Sequence, residues 1–195
     1  MRRRKYTVSA GAALLLAALY LLLDWDMLLI LLVPAAVHEL GHLAALRALG
    51  ARVRRVSLSV SGVCMYYTGA PGPGGRFIAA AAGPAAGLLF ALASAFLGGR
   101  LGSAVLMKCA GVSALLSAFN LLPSLPLDGG RMLSALISRR DGAGDVMETA
   151  GLAAGMALLF AGLLLACRGR GMGLECAGIW LLLSQPGIVK RRGVL

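Results

Sequence analysis

The sequence predicts an all-α polytopic membrane protein of about six transmembrane helices, with a small β-hairpin after the second. Of its 195 residues, 59% are hydrophobic and only 14% are charged. The mean hydropathy is +0.84, and a soluble domain of this length could not bury so much apolar surface. The apolar residues fall into blocks near the ~17–25 residues that a spanning helix needs, not into the alternating segments of a membrane barrel. One stretch, 53–68, departs from this and alternates with period two.

The first block, 7–23, follows Arg2, Arg3, Arg4 and Lys5, as the apolar part of a signal peptide would. It is long for that role, ends in Asp24-Trp25-Asp26 and lacks a small-residue cleavage site, so a retained span is expected. Five further spans are expected at 27–49, 77–97, 101–122, 145–167 and 173–188. The net charge of +11 sits in short clusters between these blocks, which marks topology determinants and excludes nucleic acid as a partner. With Arg2 to Lys5 inside, the arginines 52, 54, 55 and 76, then 131, 139 and 140, and finally Lys190 to Arg192 fall on the same side. Both termini are therefore expected to be cytoplasmic, in a bacterial cell membrane.

Within 53–68, Val56, Leu58 and Val60 alternate with Ser57, Ser59 and Ser61. This is a strand pattern, expected to turn back as a hairpin. An open sheet edge cannot cross lipid, so the hairpin belongs at the cytosolic face or in a protein-lined cleft. The segment 69–75, with five residues of Gly or Ala and two prolines (Pro71 and Pro73), is expected to be a loop. Cys64, Cys109, Cys167 and Cys176 show no Cys-x-x-Cys spacing. Apolar packing is expected of them, with pairing of Cys167 and Cys176 across one outer loop as the alternative.

The second span contains His38-Glu39-Leu40-Gly41-His42. Residues four apart share one helical face, so this H-E-x-x-H spacing brings two imidazoles within reach of one zinc ion. Glu39 then stands beside the metal as general base and later general acid. These are the only two histidines in the chain, and ionisable groups at membrane depth are costly enough to imply a function. Counting back from Arg47 places His38 roughly 13 Å and His42 roughly 8 Å from the cytosolic boundary.

Catalytic zinc takes three protein ligands and leaves a position open. With no histidine left, the best third ligand is Asp128, in Asn120-Leu121-Leu122-Pro123-Ser124-Leu125-Pro126-Leu127-Asp128-Gly129-Gly130. The prolines break the fourth span at matching depth, and Gly129 and Gly130 let the chain turn toward the metal. The other reading of Asp128 is an N-cap for a helix over 129–137.

The pairing of H-E-x-x-H with N-x-x-P-x-x-x-x-D-G resembles the site-2 protease family of intramembrane zinc metalloproteases. Ala82-Gly83-Pro84-Ala85-Ala86 is similar to a small-residue segment of that family, except that Gly87 stands where members often carry Asn. The resemblance implies one zinc ion held by His38, His42 and Asp128, with Glu39 as catalytic base. It implies that Asn120 orients substrate or stabilises the oxyanion. The compact layout is similar to the sporulation-type branch, for which cleavage of a membrane-associated pro-sigma factor is implied.

One intramembrane metalloprotease domain over 1–195 is thus expected, with its catalytic core at 27–138 and two further spans at 145–188. Its expected partners are the lipid bilayer and a membrane-associated protein substrate, with room for a membrane-protein regulator. An unwound substrate is expected to pair with the strand at 56–60. The rival readings are a membrane metal-ion transporter, which would need polar groups along a path rather than at one depth, and a zinc-binding scaffold that does not cut. Lys108 and Glu175 lie inside the fourth and sixth spans, where they either pair or leave Lys108 to snorkel. No catalytic role is expected of them.

Overall fold

Serines, a glycine and a proline mark several of the helix ends. The computed structural model describes residues 6–59, 62–69, 72–137, 143–166 and 172–184. The chain runs β1 (Tyr6–Val8), α1 (Ala10–Leu22), α2 (Trp25–Ala48), β2 (Arg52–Ser59), β3 (Gly62–Thr68), α3 (Pro73–Leu101), α4 (Ala104–Asn120), α5 (Asp128–Ile137), α6 (Ala143–Ala166) and α7 (Met172–Leu183). Ser9 caps α1 by accepting the Ala12 N–H at 3.1 Å, and Ser103 caps α4 by accepting that of Leu106 at 3.4 Å. Gly102 ends α3 in the left-handed conformation, φ 62°, that glycine adopts without strain. Pro73 opens α3, because its missing N–H has no intrahelical partner at that position. The loop expected over 69–75 is therefore shorter, with Pro73, Gly74 and Gly75 already helical.

Three stretches are long and apolar enough to cross a membrane: Trp25–Ala48, Pro73–Leu101 and Gly144–Leu165. The other apolar helices, α1, α4 and α7, have 13, 17 and 12 residues, or roughly 20, 26 and 18 Å of rise against a hydrocarbon core of about 30 Å. The expected first span is shortened at its start, since Tyr6, Thr7 and Val8 form a strand instead. The fourth stops at Asn120, ahead of Pro123. Three basic clusters, Arg2 to Lys5, Arg139 with Arg140, and Lys190 to Arg192, lie outside the described residues, as does Cys167.

The hairpin predicted over 53–68 is present. Strands β2 and β3 pair antiparallel, from Arg52 opposite Thr68 to Ser59 opposite Gly62, with a bulge between Val53 and Arg55. Strand β1 joins β2 in parallel, Tyr6 opposite Val56 and Val8 opposite Leu58. The sheet order is β1-β2-β3, so β2 is the central strand. Over 56–58 an incoming chain cannot pair with it as expected, because both edges are occupied there; Val60 lies outside the described residues. The edge left unpaired among the described residues on the hairpin side is that of β3.

Leu46, Ala51 and Ala79 form a buried cluster that ties the end of α2 to the sheet and to α3, with Leu49, Val53 and Met65 packed around it. Helices α2 and α3 approach closely at Gly41, where a Cβ would run into the Ala82 carbonyl and the Ala86 methyl. Helices α6 and α7 pack chiefly on each other, with Gly155 against Leu182 and Gly178 against Leu159. Leu21, Leu92 and Leu163 project outward, as lipid-facing side chains do. Cys64, Cys109 and Cys176 are free thiols. Lys108 and Glu175 form no ion pair with each other, and the Glu175 side chain instead packs on Gly162.

A methyl group at Gly41 is expected to lower stability by about 1–3 kcal/mol through overpacking. At Gly99 a Cβ meets nothing within 4 Å, so Gly99→Ala is expected to stabilise by up to ~1 kcal/mol through helix propensity. Thermal unfolding of the two variants in detergent micelles reads this contrast, and equal transition temperatures would contradict the close approach.

Candidate metal centre

Helix α2 presents His38 and His42 one turn apart on the side facing α3 and α5. Asp128 arrives from the other direction, as the first residue of α5. Its carboxylate Oδ2 lies 3.0 Å from His38 Nε2 and 3.1 Å from His42 Nε2. The two Nε2 atoms are 3.2 Å apart. His38 and Asp128 are only 4% and 5% exposed, whereas His42 is the member of the cluster that reaches the cavity.

The nearly equilateral triangle of ligand atoms fits a divalent ion. Zinc with nitrogen and oxygen ligands at about 2.0–2.1 Å in tetrahedral array sets its ligand atoms about 3.3 Å apart. His42 Nδ1 donates to the Ala79 carbonyl at 2.8 Å, which turns a lone pair at Nε2 toward the other two ligand atoms. His38, His42 and Asp128 thus make a His-His-Asp triad suited to a single zinc ion. His38 Nδ1 is buried without a hydrogen-bond partner among the described residues.

The neighbouring backbone makes room for this arrangement. A Cβ on Gly83 would overlap the His42 ring, so α3 can pass the metal centre only with glycine there. A Cβ on Gly129 would strike the Leu121 and Leu122 carbonyls, and one on Gly130 would meet the backbone of Ser124 and Leu125. The sharp turn expected of these two glycines is absent. They are instead helical, and the residues with positive φ are Gly50, Gly69 and Gly102. Their value is the missing side chain, which lets the first turn of α5 press against 121–125. Asp128 is the first helical residue of α5, not a cap ahead of it, and its carboxylate joins the two histidines in the group that could hold a metal ion.

Glu39 follows His38 on α2 and lies outside the triangle, on the wall of a cavity of about 430 Å³. His42 lines the same cavity, together with five consecutive residues of β3, Val63 to Tyr67. Asn120 is placed differently. It closes α4, and its Nδ2 donates back to the Leu116 carbonyl at 3.0 Å, so it touches none of the triad. At Gly87, where related chains were expected to carry Asn, a Cβ would collide with the Ser117 hydroxyl, while Ser113 Oγ donates to the Gly87 carbonyl at 2.8 Å. Serines from α4 fill the space that a larger side chain would use.

Two cavity residues that belong to no sequence motif are Arg76 and Arg131. Arg131 Nη1 lies 3.7 Å from Asp128 Oδ1, on the side of the carboxylate away from the histidines. Their sequence signal is a cation in the first turn of a helix, where the dipole disfavours it.

Comparison with known proteins agrees with this geometry. The profile of peptidase family M50 matches residues 101–162, a range that includes Asp128 but not the histidines. A Mycobacterium tuberculosis protein named as zinc metalloprotease Rip3 is 35% identical over 85% of this chain and 44% of its own length. A zinc metalloprotease of Methanocaldococcus jannaschii is 31% identical over 60% of this chain and 36% of its own. The chain thus spans less than half the length of these relatives. In fold, the chain is similar to the solved site-2 protease of Methanocaldococcus jannaschii, with a TM-score of 0.68 at 19% identity, covering 94% of this chain and 91% of that one.

Asp128→Ala is expected to abolish stoichiometric zinc binding. Gly83→Ala is expected to weaken zinc by roughly 10–100-fold, because the added methyl pushes His42 off its hydrogen bond to Ala79. Metal content by atomic emission, and competition with a chromogenic chelator, measure both. Full zinc occupancy in Asp128→Ala would remove the carboxylate from the ligand set.

Proposed function

We propose that the chain belongs to the M50 peptidase, or site-2 protease, superfamily, a reading supported by the family match over residues 101–162 and by the metalloprotease relatives at 31–35% identity, and that it is an intramembrane zinc metalloendopeptidase. In this reading it hydrolyses a peptide bond within or beside the membrane segment of a membrane-associated protein. The observation that carries the proposal is the His38-His42-Asp128 triangle, with Glu39 and His42 on the wall of the adjoining cavity. When bound there, zinc supplies Lewis acidity toward the scissile carbonyl and toward water.

The chain's own groups do the remaining work. Glu39 takes a proton from the attacking water and returns it to the leaving amine, since among the described residues it is the one carboxylate that lines the cavity beside the triad. Asn120 spends one N–H on Leu116 and does not line the cavity, so its role in orienting substrate or stabilising the oxyanion requires the amide to turn toward the bound chain. Substrate lies extended along β3. Five successive residues of that strand line the cavity, and since their side chains alternate between faces, what they share toward the cavity is the main-chain edge. A helical substrate must unwind to expose its amides, and a free strand edge satisfies them as they are released.

The convergence of polar groups on one point, with Glu39 beside them, favours this reading over a transporter or a non-cutting scaffold. Six spans, with α1, α4 and α7 crossing alongside the three longer helices, complete the proposed topology. One membrane domain would then hold the whole site. By its resemblance in compact layout, the chain is assigned in this reading to the sporulation-type branch, for which the substrate is a pro-sigma factor.

Glu39→Gln is expected to retain zinc and lose cleavage by about 10²–10⁴-fold, measured on membrane-tethered reporter peptides in liposomes. Wild-type turnover by Glu39→Gln would exclude it as the base. Substituting proline through 63–67 should slow cleavage at those positions whose N–H faces the cavity, whereas the same scan along the enclosed strand β2 should act only through loss of folded protein.

A further inference from the structure

The cavity beside the metal centre is not electrically neutral. Its lining includes one acid, Glu39, and two arginines, Arg76 and Arg131. Arg76 is exposed, and its guanidinium makes no ion pair or hydrogen bond among the described residues. The Arg131 guanidinium approaches Asp128 at 3.7 Å, beyond hydrogen-bond length, and its side chain is 54% exposed. Most of the donors on the two guanidinium groups are therefore unengaged.

Their placement runs against local helix energetics. Helix α3 begins at Pro73 and α5 at Asp128, so Arg76 and Arg131 each occupy the fourth position of a helix. There the backbone N–H groups already present partial positive charge, and a cation is unfavourable. Departures from local preference of this kind concentrate at functional sites. Two helix starts and two arginines converge on one cavity, and β3 lines it as well.

We propose that Arg76 and Arg131 are the specificity residues of the cleft, taking an Asp or Glu side chain of the substrate segment that lies along β3. This rests on the proteolytic reading of the site. An extended chain paired with β3 directs alternate side chains out of the strand plane, and one that meets the arginines gains charge-assisted hydrogen bonds if it is a carboxylate. A Lys at the same position would face two like charges and would compete for Glu39. A divalent ion on Asp128 leaves the centre with one further net positive charge, which reinforces the preference.

The test is equilibrium binding, so that it does not depend on turnover. Fluorescent peptides of one extended apolar sequence carry a single Glu, Gln or Lys at each of six successive positions. They are titrated against the full chain in detergent micelles, with zinc and after chelation. At one position, or at two positions two apart, Glu is expected to bind roughly tenfold tighter than Gln, as a charge-assisted bond allows, and Lys weaker than either. The preference should persist without zinc, fall to within twofold in the Arg76→Gln/Arg131→Gln double variant, and survive in the Arg→Lys double variant. Arg76→Glu should favour Lys.

Equal binding of Glu and Gln peptides at every position overturns the proposal, as does a preference that survives loss of both arginines. A preference abolished by phosphatidylglycerol in the micelles would assign the arginines to lipid headgroups and overturn it too. If the single variants Arg76→Gln and Arg131→Gln each reduce the preference in protein that still binds zinc, the loss is not one of folding. Cleavage measured in parallel separates the two readings. Discrimination in binding without any cleavage sinks the protease, whereas cleavage that ignores substrate charge sinks only the specificity site.

Discussion

Two imidazole nitrogens and a carboxylate oxygen 3.0–3.2 Å apart, almost wholly out of water, constrain the rest of the molecule. Each group is expensive to desolvate, and placing three lone-pair donors at mutual contact is worse unless a cation joins them. The helix that carries the histidines must therefore meet a carboxylate from a distant part of the chain within a few tenths of an ångström. Most of the architecture near the site serves that meeting. Gly41 and Gly83 let α3 lie against α2, and Gly129 and Gly130 press α5 onto the preceding turn. The Ala79 carbonyl holds His42 in the tautomer that offers Nε2.

The same constraint makes the site one-sided. His38 and Asp128 are sealed by their neighbours, while Glu39 and His42 face a cavity bounded by β3 and the first turns of α3 and α5. In a lipid environment an unwound peptide has few places where its backbone groups can be satisfied. A free strand edge beside the metal centre is one of them. The sheet itself is held to the helices through Leu46, Ala51 and Ala79, so that edge is anchored to the helix bearing the histidines.

The H-E-x-x-H segment was legible because its geometry is local. Four residues of helix fix the relation of His38 to His42, whatever the remaining chain does. The hairpin was legible for the same reason, since alternation over 53–68 is a property of consecutive residues. The third ligand was less so. Asp128 lies 86 residues from His42, and it was reached by exhausting the histidines and through resemblance, not by spacing. Strand β1 escaped notice because three residues carry no period, and its only evidence is pairing with β2, some fifty positions later. Pro73 misled in the other direction: proline breaks a helix in the interior but starts one at the first position, and its own identity does not say which position it holds. For Asn120, proximity in the motif said nothing of where its amide would point.

The membrane setting, the hairpin, and the two imidazoles with a carboxylate beside them follow from consecutive residues, because hydropathy and helical or strand period act over neighbours. Which edge of the sheet stays open, the use of Gly83, Gly129 and Gly130 for their missing side chains, and the sharing of one cavity by Arg76, Arg131 and Glu39 emerge in the packed molecule alone. Those outcomes depend on the distance between elements remote in the chain. Such distances are set by close packing, which no single segment encodes.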